Sequence, residues 1–228
     1  MPVIFITGID TGTGKTIAAG LAARFLRGKG KSVITQKLVQ TGGSGISEDI
    51  ALHRKIMGIE LNSDDRSGLT SPYVLQYPAS PHLSAAMENT VIDTEKISRA
   101  TADLAEKYDF VIIEGAGGIY VPLNENISTI DYIERMGYPV LIVTSHRLGS
   151  INHTLLTLEA AWARGITVLG LLYNTFPPQC DAISRDSSGV MAHFMKKRGI
   201  GAPLIVIPEI DLCSIQDIDF SGMFRDFL

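Results

Sequence analysis

A chain of 228 residues is long enough to bury a substantial core as one domain and short for two. Its 45% hydrophobic and 19% charged residues are the balance of a globular protein, and a formal net charge of −4 with no Lys/Arg-rich block excludes a nucleic-acid footprint. No apolar run reaches the roughly 18 residues of a membrane span, MPVIFITG does not read as a secretory leader, and Cys180 and Cys213 match no metal or redox spacing, so a cytoplasmic protein with two free thiols is expected.

In chain order, PVIFIT (2–7) reads as a buried strand and KTIAAGLAARFLRG (15–28) as an Ala/Leu-rich helix. KSVITQKL (31–38) is a second strand, followed by a glycine-rich loop at 41–47 and a helix near 48–57. Segment 59–81, with Pro72, Pro78 and Pro81, reads as a long loop before a short helix at 83–88 and a longer one at 93–107. FVIIEG (110–115), PVLIVTS (139–145) and TVLGLLYN (167–174) are continuous apolar runs, the mark of strands covered on both faces. LIVIP (204–208) is the last strand, and helices near 149–164 and 186–199 lie between them. Strands alternating with helices imply an α/β fold with a mostly parallel sheet flanked by helices on both faces. Polar motifs follow the strand ends, where such sheets bind ligands, so a single site is expected in one domain, 1–228.

The first strand runs into Gly8-Ile9-Asp10-Thr11-Gly12-Thr13-Gly14-Lys15-Thr16, and the first helix opens inside it. That context makes the stretch a phosphate-binding loop, and the fold P-loop NTPase-like. The glycines let backbone N–H groups face an anion, and Lys15 reaches the β- and γ-phosphates. Thr16 offers its hydroxyl to Mg²⁺. The expected nucleotide contacts are Gly12, Thr13, Gly14, Lys15, Thr16 and Ile17. The spacing is one residue longer than G-x-x-x-x-G-K-[ST], with Ile9 where the first glycine belongs. Asp10, being acidic, is expected to order the turn by accepting backbone N–H groups.

Lys37 ends the second strand beside this loop, either as a solvated lysine or as a cation for a transferring phosphoryl group. Ser47-Glu48-Asp49 is a helix cap whose acids in the first turn complement the helix dipole. Pro78-Ala79-Ser80-Pro81-His82 reads as a turn and cap, and a single loop histidine is weak ground for a general base. Glu114 ends an apolar strand, where a carboxylate is costly unless paired or metal-bound, and its trailing glycines allow close backbone approach to a ligand. Thr144 to His153 is a strand–loop–helix junction whose free N–H groups suit a carboxylate. Asn174 either starts a turn or reads a base edge.

Together these stretches resemble the dethiobiotin synthetases. The loop matches the family pattern G-x-D-T-x-x-G-K-T at Gly8, Asp10, Thr11, Gly14, Lys15 and Thr16. Lys37-Leu38-Val39, then Thr41-Gly42, is similar to the family's K-P-V/I segment, with Leu38 replacing the proline. Glu114-Gly115-Ala116-Gly117-Gly118 with Val121-Pro122, and Leu148-Gly149-Ser150-Ile151-Asn152-His153, complete the match. The resemblance spans about residues 1–210, and the tail 211–228 carries no signal.

It implies an ATP-dependent ligase that closes a cyclic urea from 7,8-diaminopelargonic acid and CO₂, through a carbamate and a carbamic–phosphoric anhydride, with no dedicated protein base. Lys37, Lys15 and Thr11 would be catalytic, and Thr16, Asp49 and Glu114 would hold Mg²⁺, with Glu48 as the neighbour to Asp49. Thr41, Pro78, Ser80, Gly117 and Gly118 would touch the diamine. Gly149, Ser150 and Asn152 would hold the carboxylate of the substrate bound to the partner subunit, so a homodimer with a shared site is expected, without nucleic-acid or membrane partners. Asn174, Pro208 and Glu209 would contact the base. Many members carry a glycine before an I-P pair, whereas Leu204-Ile205-Val206-Ile207-Pro208 has none, which leaves nucleotide selectivity open. Two other readings are weighed. A dimerising switch ATPase of the partitioning kind places a second lysine early in the loop, where Ile9-Asp10-Thr11 has none. Another P-loop amide-forming ligase, of the cobyrinic acid type, usually adds a glutaminase domain for which the chain is short.

Overall fold

Apolar strands without a polar face are stable only when both faces are covered, and the chain covers them with helices. The computed structural model describes residues 2–228. Strand β1 (Val3–Gly8) leads through the glycine loop to helix α1 (Lys15–Gly28), then to β2 (Val33–Lys37) and the two-residue β3 (Gln40–Thr41). Helices α2 (Glu48–Met57) and α3 (Ser63–Arg66) precede the short strand β4 (Val74–Leu75), α4 (Pro81–Met87) and α5 (Thr94–Lys107). The second half alternates β5 (Phe110–Gly118), α6 (Thr129–Met136), β6 (Val140–Ser145), α7 (Ser150–Ala163), β7 (Val168–Asn174), α8 (Asp181–Lys197) and β8 (Leu204–Ile207).

Six strands form one parallel sheet in the order β2-β5-β1-β6-β7-β8, and β3 and β4 form a separate parallel pair. The period of two along each strand sends alternate side chains to opposite faces. Phe5, Ile34, Val111 and Ile113 enter the core beneath α5 to α8, while Ile4, Ile6, Ile112 and Leu141 face α1 and α2. Small residues on α1 let α2 lie close: a Cβ on Gly20 would meet Ile56 at 2.8 Å. The register sets Lys37 opposite Glu114 and Gly8 opposite Gly118. The functional strand ends therefore lie together at the carboxyl edge of the sheet.

Several expectations change. The segment 59–81 contains α3, closed by a capping box between Asn62 and Asp65, and the strand β4. Two-residue strands and one-turn helices have no periodicity to read. Helix α4 starts at Pro81, where proline suits a first turn, and α8 starts at Asp181 rather than near 186. Helix α6 was not anticipated, although Ser128 and Asp131 cap it reciprocally. Glu114 does not end its strand: β5 continues through the glycines and pairs with β1 up to Gly118 across a register shift. The tail is structured too: Phe220, Met223 and Phe224 are buried against α1.

Candidate active site

The loop between β1 and α1 holds itself in shape. The Thr11 N–H donates to Asp10 Oδ1 at 2.7 Å, as expected for an acidic turn residue. The Asp10 carbonyl accepts from Lys15 Nζ at 2.8 Å and from Thr13 Oγ1 at 3.2 Å. Gly14 has φ 95°, and a Cβ there would strike Asn174 Nδ2 at 2.7 Å, so only glycine fits. Lys15 is 6% exposed. Burial, with Lys37 adding repulsion, lowers its pKa to about 8 despite the nearby carboxylates of Glu114 and Asp49.

Beside the loop lies a compact charge cluster built from three elements. Lys37 Nζ, from the end of β2, sits 2.6 Å from Asp49 Oδ2 at the start of α2 and 2.8 Å from Glu114 Oε1 in β5. It also donates to the Gly115 carbonyl at 3.2 Å. Lys37 is 6% exposed, so the solvated-lysine reading does not hold. Burial alone would depress its pKa, but the Glu114 and Asp49 carboxylates raise it. Burial would raise Glu114 in turn, and Lys37 and His53 hold it down to about 2. Both groups therefore stay charged across the neutral range.

Thr16 Oγ1 lies 3.1 Å from Asp49 Oδ1 and 3.0 Å from Glu114 Oε1. Three hard oxygens thus converge at the first turn of α1, a donor set that fits Mg²⁺ shared with phosphates. Among the described residues no group of three or more His, Cys, Asp or Glu could hold a metal ion by itself. Asp49, not its exposed neighbour Glu48, faces the cluster, while Ser47 caps α2 by accepting from the Ile50 N–H at 3.3 Å.

These groups open on a cleft of about 770 Å³. The phosphate loop and α1 line it with Thr11, Gly12, Gly14, Lys15, Thr16 and Ile17, the charge cluster and β5 with Lys37, Asp49, Glu114 and Gly117, and the segments that follow with Thr41, Pro78 and Ser80. Gly117 has φ 67°, and a Cβ there would meet Val121 at 2.8 Å and Thr11 Oγ1 at 3.6 Å. The backbone of β5 therefore passes directly beneath the loop. Gly118 instead packs on the Gly8 and Ile9 carbonyls.

Other expected residues lie outside this cleft. Gly149 and Asn152 are exposed, Leu148 is 93% exposed, and Ser150 is turned inward to the Arg147 carbonyl and Ser145. Pro208 and Glu209 are exposed beyond β8. Asn174 donates from Nδ2 to the Thr13 carbonyl at 3.0 Å and accepts at Oδ1 from the Phe176 N–H at 3.0 Å, so it braces the phosphate loop. The sequence reading missed His53, which is fully buried one helical turn after Asp49 with Nε2 2.8 Å from Glu114 Oε2. The signal was its i, i+4 spacing from Asp49 on α2.

A family model described as an AAA domain matches residues 3–214. The ATP-dependent dethiobiotin synthetase BioD 2 of Pasteurella multocida is 48% identical over 93% of this chain and 99% of its own length. The protein of the same name from Haemophilus influenzae is 55% identical over 77% of this chain and 92% of its own. The dethiobiotin synthetase BioD of Chlorobaculum tepidum is 48% identical over 89% and 85%. Among solved structures, pNOB8 ParA bound to nonspecific DNA matches with a TM-score of 0.57 at 15% identity, over 99% of this chain and 90% of that one. Cyanthece apo McdA matches at 0.55 and 15%, over 92% and 87%. At that identity the likeness speaks for the fold alone, which is that of a P-loop NTPase.

Proposed function

The chain belongs to the ATP-dependent dethiobiotin synthetases, ligases of biotin synthesis, and from that premise we propose how its residues carry the reaction. The substrates are 7,8-diaminopelargonic acid, CO₂ and ATP. One amine captures CO₂ as a carbamate. A carbamate oxygen then attacks the γ-phosphorus, releasing ADP and giving a carbamic–phosphoric anhydride. The second amine attacks the anhydride carbonyl, and phosphate leaves as the cyclic urea closes.

The observation that carries this reading is the meeting of Lys15, Lys37, Thr16, Asp49 and Glu114 in one open cleft. Phosphoryl transfer depends on positioning and charge neutralisation rather than covalent help from the protein. Lys15 binds the β- and γ-phosphates, and Lys37 faces both the γ-phosphate and the carbamate. Thr16, Asp49 and Glu114 would hold Mg²⁺, which would supply further positive charge at the phosphates. Thr11, over Gly117, hydrogen-bonds the transferring group, and the extra loop residue leaves room for a carbamate beside it. Thr41, Pro78, Ser80, Gly117 and Gly118 bind the diamine. Gly12, Thr13, Gly14 and Ile17 complete the nucleotide cradle, and Asn174, Pro208 and Glu209 meet the base.

We read residues 1–228 as one domain, and the two hydrophobic clusters on either side of one sheet support that reading. The exposed turn at Leu148, Gly149 and Asn152 supports a homodimer in which this turn holds the carboxylate of the partner's substrate. We place the enzyme in the cytoplasm with the rest of this reading; no described helix is long and apolar enough to cross a membrane. The test is a product assay: protein, Mg²⁺-ATP, bicarbonate and 7,8-diaminopelargonic acid, read for dethiobiotin by mass spectrometry. Wild type should make dethiobiotin, and Lys37→Ala should lower kcat about 10²–10³-fold. ATP hydrolysis that ignores the diamine would sink the proposal.

A further inference from the structure

We propose that His53 is a positioning residue whose ring proton is kept on Nε2, the nitrogen beside Glu114, by a buried hydrogen-bond relay running from Asp65 through Arg54 and Thr35. The proposal takes from the preceding reading only that Glu114 serves the metal.

The relay follows from what each group can donate. Arg54 is 1% exposed and bonds Asp65 at both carboxylate oxygens, Nε to Oδ2 at 3.0 Å and Nη2 to Oδ1 at 2.7 Å. Thr70 Oγ1 adds a donor to Asp65 Oδ1 at 2.8 Å, so the anion is held on several sides. Arg54 Nη1 lies 2.7 Å from Thr35 Oγ1. A guanidinium has only donors, so the Thr35 hydroxyl accepts there and its own proton points elsewhere. The ring nitrogen His53 Nδ1, 2.9 Å away, is where the proposed relay sends it. An Nδ1 that accepts leaves the proton on Nε2.

His53 Nε2 and Glu114 Oε2 are both fully buried and stand 2.8 Å apart, and among the described residues neither has a hydrogen-bond partner elsewhere. Each is the group within reach that can satisfy the other. The other oxygen, Glu114 Oε1, is occupied by Lys37 Nζ and Thr16 Oγ1. His53 therefore takes one edge of the carboxylate and leaves the other turned to the phosphate loop. Because His53 follows Asp49 by four residues on α2, the same helix positions both carboxylates of the cluster: Asp49 directly and Glu114 through the imidazole.

The relay is read first in the wild-type protein without metal, by long-range ¹H–¹⁵N spectra of the histidine side chains. His53 should show a bare Nδ1 and a protonated Nε2. A ring protonated at Nδ1, alone or together with Nε2, overturns the relay. Thr35→Val should remove the preference for that tautomer, and an unchanged spectrum would also overturn it. The consequence is read by calorimetry of a non-hydrolysable ATP analogue at varied Mg²⁺. His53→Leu should raise the Mg²⁺ needed for half-maximal binding about 10–100-fold, with metal-free nucleotide affinity unchanged. His53→Gln, which keeps a donor near Nε2, should recover most of that loss. Equal losses with and without Mg²⁺, or a Gln variant no better than Leu, would mark His53 as packing only. A wild-type protein whose nucleotide binding ignores Mg²⁺ would remove the metal reading of Glu114, and the tautomer would then decide the relay by itself.

Discussion

At the scale of single residues, burial and charge set the working range of the site. Lys15 has its pKa brought down to about 8 by burial and by Lys37. Bound phosphates favour its charged form, so the complex holds a proton that the free protein sheds above pH 8. Nucleotide affinity should therefore be level below about pH 8 and fall above it, by up to about tenfold per unit, until the pKa of the complex is reached. Calorimetric titration with Mg²⁺-ADP from pH 7 to 9.5 reads this directly. Lys15→Arg should bind more weakly but without the decline, because guanidinium does not titrate there. A wild-type profile flat through pH 9 would refute the assignment. Much of this scale was legible in the chain. The loop's own hydrogen bonds, such as Asp10 to Thr11, join near neighbours. The pairing of Lys37 was not legible, since strand-end lysines are commonly solvated.

At the scale of elements, the informative surprise is the C-terminal tail. Phe224 is fully buried and stacks on Phe25 of α1 at 6.1 Å, while Phe227 meets Phe110 at the start of β5. Met223 packs so close to Gly170 that a Cβ there would lie 2.6 Å from its Cε. These partners sit toward the amino-terminal ends of the strands, away from the cleft. Phe224→Ala should thus cost about 3–5 kcal/mol of stability, a fall of roughly 10 °C in Tm by thermal denaturation. Nucleotide affinity measured well below the transition should stay near wild type. A variant that melts like wild type would show that the tail is not holding α1. The tail escaped the sequence reading because it forms turns rather than a periodic element, and its aromatic residues acquire meaning only against α1 and β5. Helices α1, α2 and α5 were readable because each shows a cap or a clear apolar stripe over several turns.

At the scale of the whole molecule, the separation of Gly149 and Asn152 from the cleft becomes a prediction about assembly. If this turn serves the partner's substrate, two inactive variants can rescue each other. Asn152→Asp would set a negative charge against the substrate carboxylate, and Lys37→Ala would remove the cation of the other half-site. Dimers that pair the two variants contain one doubly defective site and one intact site. An equal mixture, allowed to exchange subunits, should regain roughly a quarter of wild-type dethiobiotin formation. Sedimentation should show a dimer for each variant. No recovery from exchanging dimers would place the turn at its own chain's site.

The phosphate loop, the buried character of the strands and the identity of most cleft residues were determined by the sequence alone, because each rests on contiguous residues and local backbone chemistry. What the tertiary structure decided is the charge cluster. Lys37, Asp49 and Glu114 meet only because β5 inserts between β2 and β1 and because Lys37 registers opposite Glu114. Parallel strand order is set by packing helices on both faces of a sheet, which is a property of the whole chain. For the same reason His53 reads as an ordinary helix residue until β5 brings Glu114 within 2.8 Å of it.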